Sequence, residues 1–238
     1  MARTFSFSAD GFYHVYNRGV EKRTIFTDQN DYKRFMALLY VANSATPISL
    51  GRGFNTSGIF SDLLKQDRGE ILTNIGAYCL MPNHFHLLLH EKKEGGISAF
   101  MQKLGTAYTM YFNTKRERTG SLFEGRFRGR VVTDEKYLNY LFAYIHLNPI
   151  KLIDPTWKEK GIADIEESRD YINNFSYSSY FDFVGKDRPE KAIVNLEPFA
   201  QYAPSRTGFS DFIEDWLSYE ESDGEAWKAI KPEEVKTE

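Results

Sequence analysis

The chain reads as an α+β protein in which an antiparallel sheet carries helices packed on one face. Three observations predict this class. Two β-favouring runs lie at 12–17 and 71–81, a second strand follows the latter after a Pro-Asn turn, and helical periodicities fall between and after them.

Taken in order, Phe12-Tyr13-His14-Val15-Tyr16-Asn17 is a strand that ends at Arg18-Gly19. Asp28 caps a helix whose Tyr32, Phe35, Met36, Leu38 and Leu39 recur at helical spacing. The stretch 43–58, rich in Ser, Thr, Gly and Asn, is an insertion loop. Ile71 to Met81 is a strand, Pro82-Asn83 turns the chain, and His84-Phe85-His86-Leu87-Leu88-Leu89 returns. Gly95-Gly96 breaks the pattern before a long helix from Ile97 to about Lys115, capped at or near Ser98. A short strand at Val131-Val132 precedes a helix capped by Asp134, which runs through Tyr137, Tyr140, Leu141 and Tyr144 and closes at Asn148-Pro149. The pattern is mixed after residue 150. An amphipathic helix is expected at 211–219 and disorder beyond Glu220.

With 238 residues and 42% hydrophobic content the chain can bury a sizeable core. The single cysteine, Cys79, excludes an internal disulfide and a thiolate metal centre; its apolar surroundings suit a buried structural thiol and a reducing cytoplasm. No signal-type start and no apolar run long enough to cross a bilayer is found, so a soluble, cytoplasmic protein without a membrane partner is expected. The net charge of −3 is unevenly spread. Residues 190–238 hold 12 acidic and 5 basic residues, a net of −7, which leaves +4 for residues 1–189. An acidic tail thus masks a mildly basic body that is compatible with binding phosphates.

Three constellations carry chemistry. In a strand, His84 and His86 share a face with Phe85 opposite, and two neutral imidazoles at that spacing can hold a divalent ion. Two partly exposed polar residues would give the same pattern; His90, of the same parity, reads as surface. On the last helix, Tyr144 and Asn148 stand four apart and face the same way. An amide oxygen suits a hard ion, but a core tyrosine followed by a C-terminal cap explains the pair equally well. Tyr140 shares that face and rivals Tyr144 as a nucleophile. Finally, Lys103, Lys115, Arg116, Arg118, Arg126, Arg128 and Arg130 interleave with Tyr108, Tyr111, Phe112, Phe123 and Phe127. Such a mix suits single-stranded or hairpin nucleic acid, and it also fits a solvated helix face over core aromatics.

The segment Ala77-Tyr78-Cys79-Leu80-Met81-Pro82-Asn83-His84-Phe85-His86-Leu87-Leu88 resembles the HUH segment of single-tyrosine transposases, in particular the REP-associated branch of the insertion-sequence superfamily. Further stretches agree in order: Tyr13 to Gly19, Ile25-Phe26 with Asp31-Tyr32, Phe100 to Leu104, Tyr111 to Asn113, Gly120 to Phe127, and Tyr137 to Lys151. The loop at 43–70 is longer than the family's, and Phe123 stands where Trp is frequent.

The resemblance implies a ferredoxin-like (RRM-like) catalytic domain over 1–155; composition makes 156–238 an acidic extension, partly disordered at its end. It implies His84, His86 and Asn148 as ligands of Mg²⁺ or Mn²⁺ and Tyr144 as the nucleophile that nicks and rejoins single-stranded or hairpin DNA through a 5′-phosphotyrosine. Lys103, Lys115, Arg116, Arg126, Arg128 and Arg130 are the candidate nucleic-acid contacts. Relatives act as monomers or as homodimers. The competing expectation is a non-catalytic hairpin DNA- or RNA-binding protein on the same fold.

Overall fold

The computed structural model describes residues 7–48, 57–200 and 208–218. Four strands, β1 (Phe12–Arg18), β2 (Asn74–Met81), β3 (His84–His90) and β4 (Arg128–Val131), form one sheet in the order β2-β3-β1-β4. Every neighbouring pair is antiparallel. Helices α1 (Gln29–Val41) and α2 (Ser57–Lys65) lie between β1 and β2, and α3 (Gly96–Lys115) between β3 and β4. This is the ferredoxin-like arrangement with an added helix, as expected. Four further helices follow: α4 (Glu135–Leu147), α5 (Trp157–Lys160), α6 (Ile165–Asn174) and α7 (Tyr180–Phe183), with α8 (Phe209–Leu217) near the end of the described residues.

Strand alternation divides the core in two. On one face Tyr13 and Val15 of β1, Phe85, Leu87 and Leu89 of β3 and Tyr78 and Leu80 of β2 pack against Phe35 and Leu39 of α1 and Phe100, Leu104 and Tyr108 of α3. On the other, Ala77, Cys79, Met81 and Leu88 meet Leu141, Phe142 and Ile145 of α4, together with Trp157, Phe183, Phe199 and Phe209 from beyond residue 155. The extension therefore adds a second layer, on the face that the helices of the ferredoxin-like unit leave open.

Backbone hydrogen bonds tie that layer to the outer edge of β2: Leu80 N donates to Tyr177 O (2.9 Å), Ser179 N to Tyr78 O (3.0 Å) and Asn195 N to Ile75 O (2.9 Å). The pairing of β2 shifts register between Ile75 and Ala77, at Gly76. A Cβ on Gly76 would stand 2.7 Å from the Phe199 ring, so only glycine lets the extension lie flush there.

The caps follow elementary chemistry. Asp28 accepts from Asn30 N and Asp31 N, and Asp134 from Tyr137 N, both as expected. The start of α3 differs. It opens at Gly96, before the expected Ser98, because buried Glu91 accepts from Ile97 N at 2.8 Å and satisfies the helix start from outside the local sequence. In the expected insertion loop, 49–56 lie outside the described residues and α2 begins at Ser57. Strand β4 begins at Arg128, earlier than the valine pair suggested, because its backbone pairs with β1. The tail beyond Glu220 lies outside the described residues. Among the described residues no helix is long and apolar enough to cross a membrane.

Candidate active site

Strand β3 does what alternation requires. Phe85 is buried, its ring 5.0 Å from that of Phe35, while His84 and His86 project from the opposite face with ring centroids 5.0 Å apart. The turn before the strand orients the first imidazole: Asn83 Oδ1 lies 2.6 Å from His84 Nδ1. An amide oxygen only accepts, so the His84 proton sits on Nδ1 and Nε2 carries the lone pair.

The second imidazole is oriented from β1. His86 Nδ1 and His14 Nε2 are 2.9 Å apart, and both rings are buried. One of these nitrogens must donate. If His86 does, its Nε2 is left as a ligand and the His14 proton lies on Nδ1. Burial, reinforced by neighbouring positive charge, lowers His84 to about 4 and His14 to about 3, and it holds His86 well below the usual imidazole value. Lys158 contributes to all three. The rings are therefore neutral at physiological pH, which is the state that binds a cation.

Helix α4 crosses this face and brings in Tyr144. Its ring stands edge-on to His86 at 5.4 Å and to His14 at 5.8 Å. Its sequence neighbours Ala143 and Ile145 are buried, whereas Tyr144 is half-buried. The Lys158 ammonium, from α5, lies 4.1 Å from the Tyr144 ring centroid, a cation–π distance. Tyr140 stacks on Tyr144 at 5.7 Å but is itself buried, and that burial raises its phenol far above the usual value. Asn148 is buried, and its amide nitrogen donates to the Tyr144 carbonyl at 3.1 Å, which commits the nitrogen to the helix and not the oxygen.

The ligand set expected from the sequence is two imidazoles, which the structure brings together, and the amide oxygen of Asn148. Among the described residues no group of three or more His, Cys, Asp or Glu could hold a metal ion. The donors carry no charge of their own. The fixed tautomer of His84 fits a cation at Nε2, and nearby Lys158 and Lys151 oppose one.

The predicted basic residues divide between the two sides of the sheet. Arg128 and Arg130 pair with Tyr16 and His14 of β1 and share the histidine face. Arg126 is exposed just before them. Lys115 and Arg116 lie in the α1–α3 layer, where Lys115 binds Asp28 and Asp31 at 2.8 and 2.6 Å and Arg116 reaches Thr27 and Asp28. Lys103 donates to Ser44 O at 2.8 Å. His90, read as surface, is buried instead, with Nδ1 3.0 Å from Asn74 Nδ2. Strands β1 and β2 on either side of it exclude the solvent that its place at the strand end suggested.

Three site residues escaped the sequence reading. His14 had a usable signal, since its strand alternation with Tyr16 matches that of His84 and His86 once β1 and β3 are neighbours. Asn83 was visible only as a turn residue. Lys158 had no signal, because it lies past every recognisable motif.

Among solved structures the chain is similar to a REP-associated tyrosine transposase bound to a REP hairpin, with 12% identity and a TM-score of 0.49 over 80% of this chain and 89% of that one. No curated protein matches it. The family model described as "Transposase IS200 like" matches residues 54–148. That segment, about two fifths of the chain, holds both strand histidines, the tyrosine and the asparagine.

Proposed function

We propose that the protein is a DNA-nicking and strand-joining transposase in which Tyr144 attacks a backbone phosphate of single-stranded or hairpin DNA. The observation that carries this reading is the edge-on packing of Tyr144 against His86 within one chain. The phenol thereby stands beside the imidazole pair without help from a second subunit.

In the proposed step Tyr144 Oη attacks phosphorus, and a P–O bond to tyrosine forms as the bond to the 3′ oxygen breaks. The phenolic proton passes to solvent, and the freed 3′ oxygen takes one up. The 5′ end stays on the enzyme as a phosphotyrosine, so the bond energy is kept and a later 3′-hydroxyl can reverse the step and join strands. The Lys158 ammonium, which lies over the Tyr144 ring, would meet the negative charge of the incoming phosphate. His84, His86 and the Asn148 oxygen would hold a divalent cation such as Mg²⁺ or Mn²⁺, which would offset charge on the phosphate oxygens. Arg126 and Arg128 are proposed to bind neighbouring stretches of backbone.

The test is covalent capture. The protein is mixed with a panel of hairpin oligonucleotides in Mg²⁺ or Mn²⁺, and DNA adducts that survive denaturation are counted. Wild type and Tyr140→Phe should form adducts and Tyr144→Phe should form none. An adduct in Tyr144→Phe would assign the nucleophile elsewhere. Binding without any adduct in wild type would favour the non-catalytic reading.

A further inference from the structure

The proposed step leaves one buried group without employment. Arg130 is only 7% exposed, and neither its Nε nor its Nη1 has a hydrogen-bond partner among the described residues. A guanidinium held out of water with donors unpaired is destabilising, and proteins keep such a group where an anion arrives to complete it. Two other polar atoms beside it are orphaned in the same way: the Tyr137 hydroxyl and His14 Nδ1. The three belong together. Arg130 and His14 are cross-strand partners, and the Arg130 charge acts on both His14 and Tyr137. Tyr137 in turn stacks on Tyr140 at 6.2 Å, which stacks on Tyr144.

We infer that Arg130, Tyr137 Oη and His14 Nδ1 form a buried subsite for one phosphate of the DNA backbone, next to the phosphate attacked by Tyr144. All the atoms are donors when the His14 proton is on Nδ1, the tautomer in which His14 Nε2 accepts from His86. The monoanionic oxygens of a phosphodiester are the complement of that set, and the planar fork of arginine suits them. One arrangement of protons thus serves two ends: it leaves His86 Nε2 free for a cation and aims His14 at the anion. The inference rests on the histidine face being the one that meets DNA, and not on Tyr144 being the nucleophile.

The experiment compares wild type, Arg130→Met and Arg130→Lys. Because removing an unpaired buried charge relieves strain, Arg130→Met should melt roughly 2–8 °C higher than wild type in chloride. Replacing chloride by inorganic phosphate at matched ionic strength should then stabilise wild type more than Arg130→Met. Hairpin oligonucleotides carrying a single neutral methylphosphonate, stepped along the strand, give the second measurement. One position should weaken wild-type binding by about ten- to a hundredfold, and Arg130→Met should be weak on every oligonucleotide and indifferent at that position. Arg130→Lys, which keeps the charge and loses the fork, should fall between the two. A lower melting temperature for Arg130→Met in chloride, or equal methylphosphonate sensitivity in both proteins, would overturn the subsite. Covalent capture that persists in Tyr144→Phe would overturn the role of Tyr144 and leave these outcomes as they are.

Discussion

The two faces of the sheet are built from the same strands and behave as opposites. Towards α1 and α3 the strands present Tyr13, Val15, Phe85 and Leu87, and several polar groups of that layer converge on one buried carboxylate. Buried Asp31 accepts from Lys115, from Tyr111 and from both the hydroxyl and the N–H of Thr27. Towards α4 the strands present His14, His84, His86, His90, Arg128 and Arg130, and neither His14 Nδ1 nor Arg130 Nε and Nη1 has a partner among the described residues. Positive groups on this side, Lys158 and Arg130, are close enough to depress His14. The contrast separates residues that hold the fold from residues kept ready for something outside it. It also says why a basic run in sequence is a blunt signal: the same residue type is spent in one layer and available in the other.

The sharpest way to break the comparison is the adduct assay with Tyr144→Phe, where total loss is expected. Next in size is Asp31→Asn on the closed face, which removes one of the two carboxylates that hold Lys115 and should cost about 1–3 kcal/mol in denaturant unfolding. Burial alone would push the Asp31 carboxyl up, but the hydrogen bonds from Lys115 and Thr27 outweigh it and hold it below 3.8. A carboxyl lowered in the folded state gives stability that is complete above its unfolded value and lost as pH falls through the folded one. Wild type should therefore lose stability in acid below about pH 4, and Asp31→Asn should show less of that slope. An unchanged acid limb would mean that other carboxylates control it.

His14→Ala tests the open face. If His86 is a metal ligand as proposed, loss of the partner that orients it should lower Mn²⁺ affinity, read by electron paramagnetic resonance, by about ten- to a hundredfold. His14→Gln, whose amide oxygen can still accept, should restore part of it. Equal affinity in all three would reduce His14 to packing. The smallest effect separates the basic residues by side: Arg128→Gln should lower the salt dependence of hairpin binding by about one counterion, and Lys115→Gln by less. Equal slopes would show that DNA contacts both faces.

Much of this was legible in the residues. Alternation put His84 and His86 together, helical spacing put Tyr144 and Asn148 on one face, and Asp28 and Asp134 announced their helices. What stayed hidden depends on contacts distant in sequence. Glu91 caps α3 from another element, His90 is enclosed by chain on both sides, and Lys158 reaches Tyr144 only because the chain folds back after α4. Pattern reading registers local periodicity, and none of these has a local period.

The flush contact at Gly76 has a bearing on inheritance. A strand at the margin of a sheet invites stray pairing, and here residues 177–179 and Asn195 already occupy that margin. A chain ended after residue 155 would bare the β2 backbone and the buried thiol of Cys79 together, and it would also lose Lys158. Lineages that shortened the protein from its C-terminal end would thus pay first in self-association and only afterwards in chemistry.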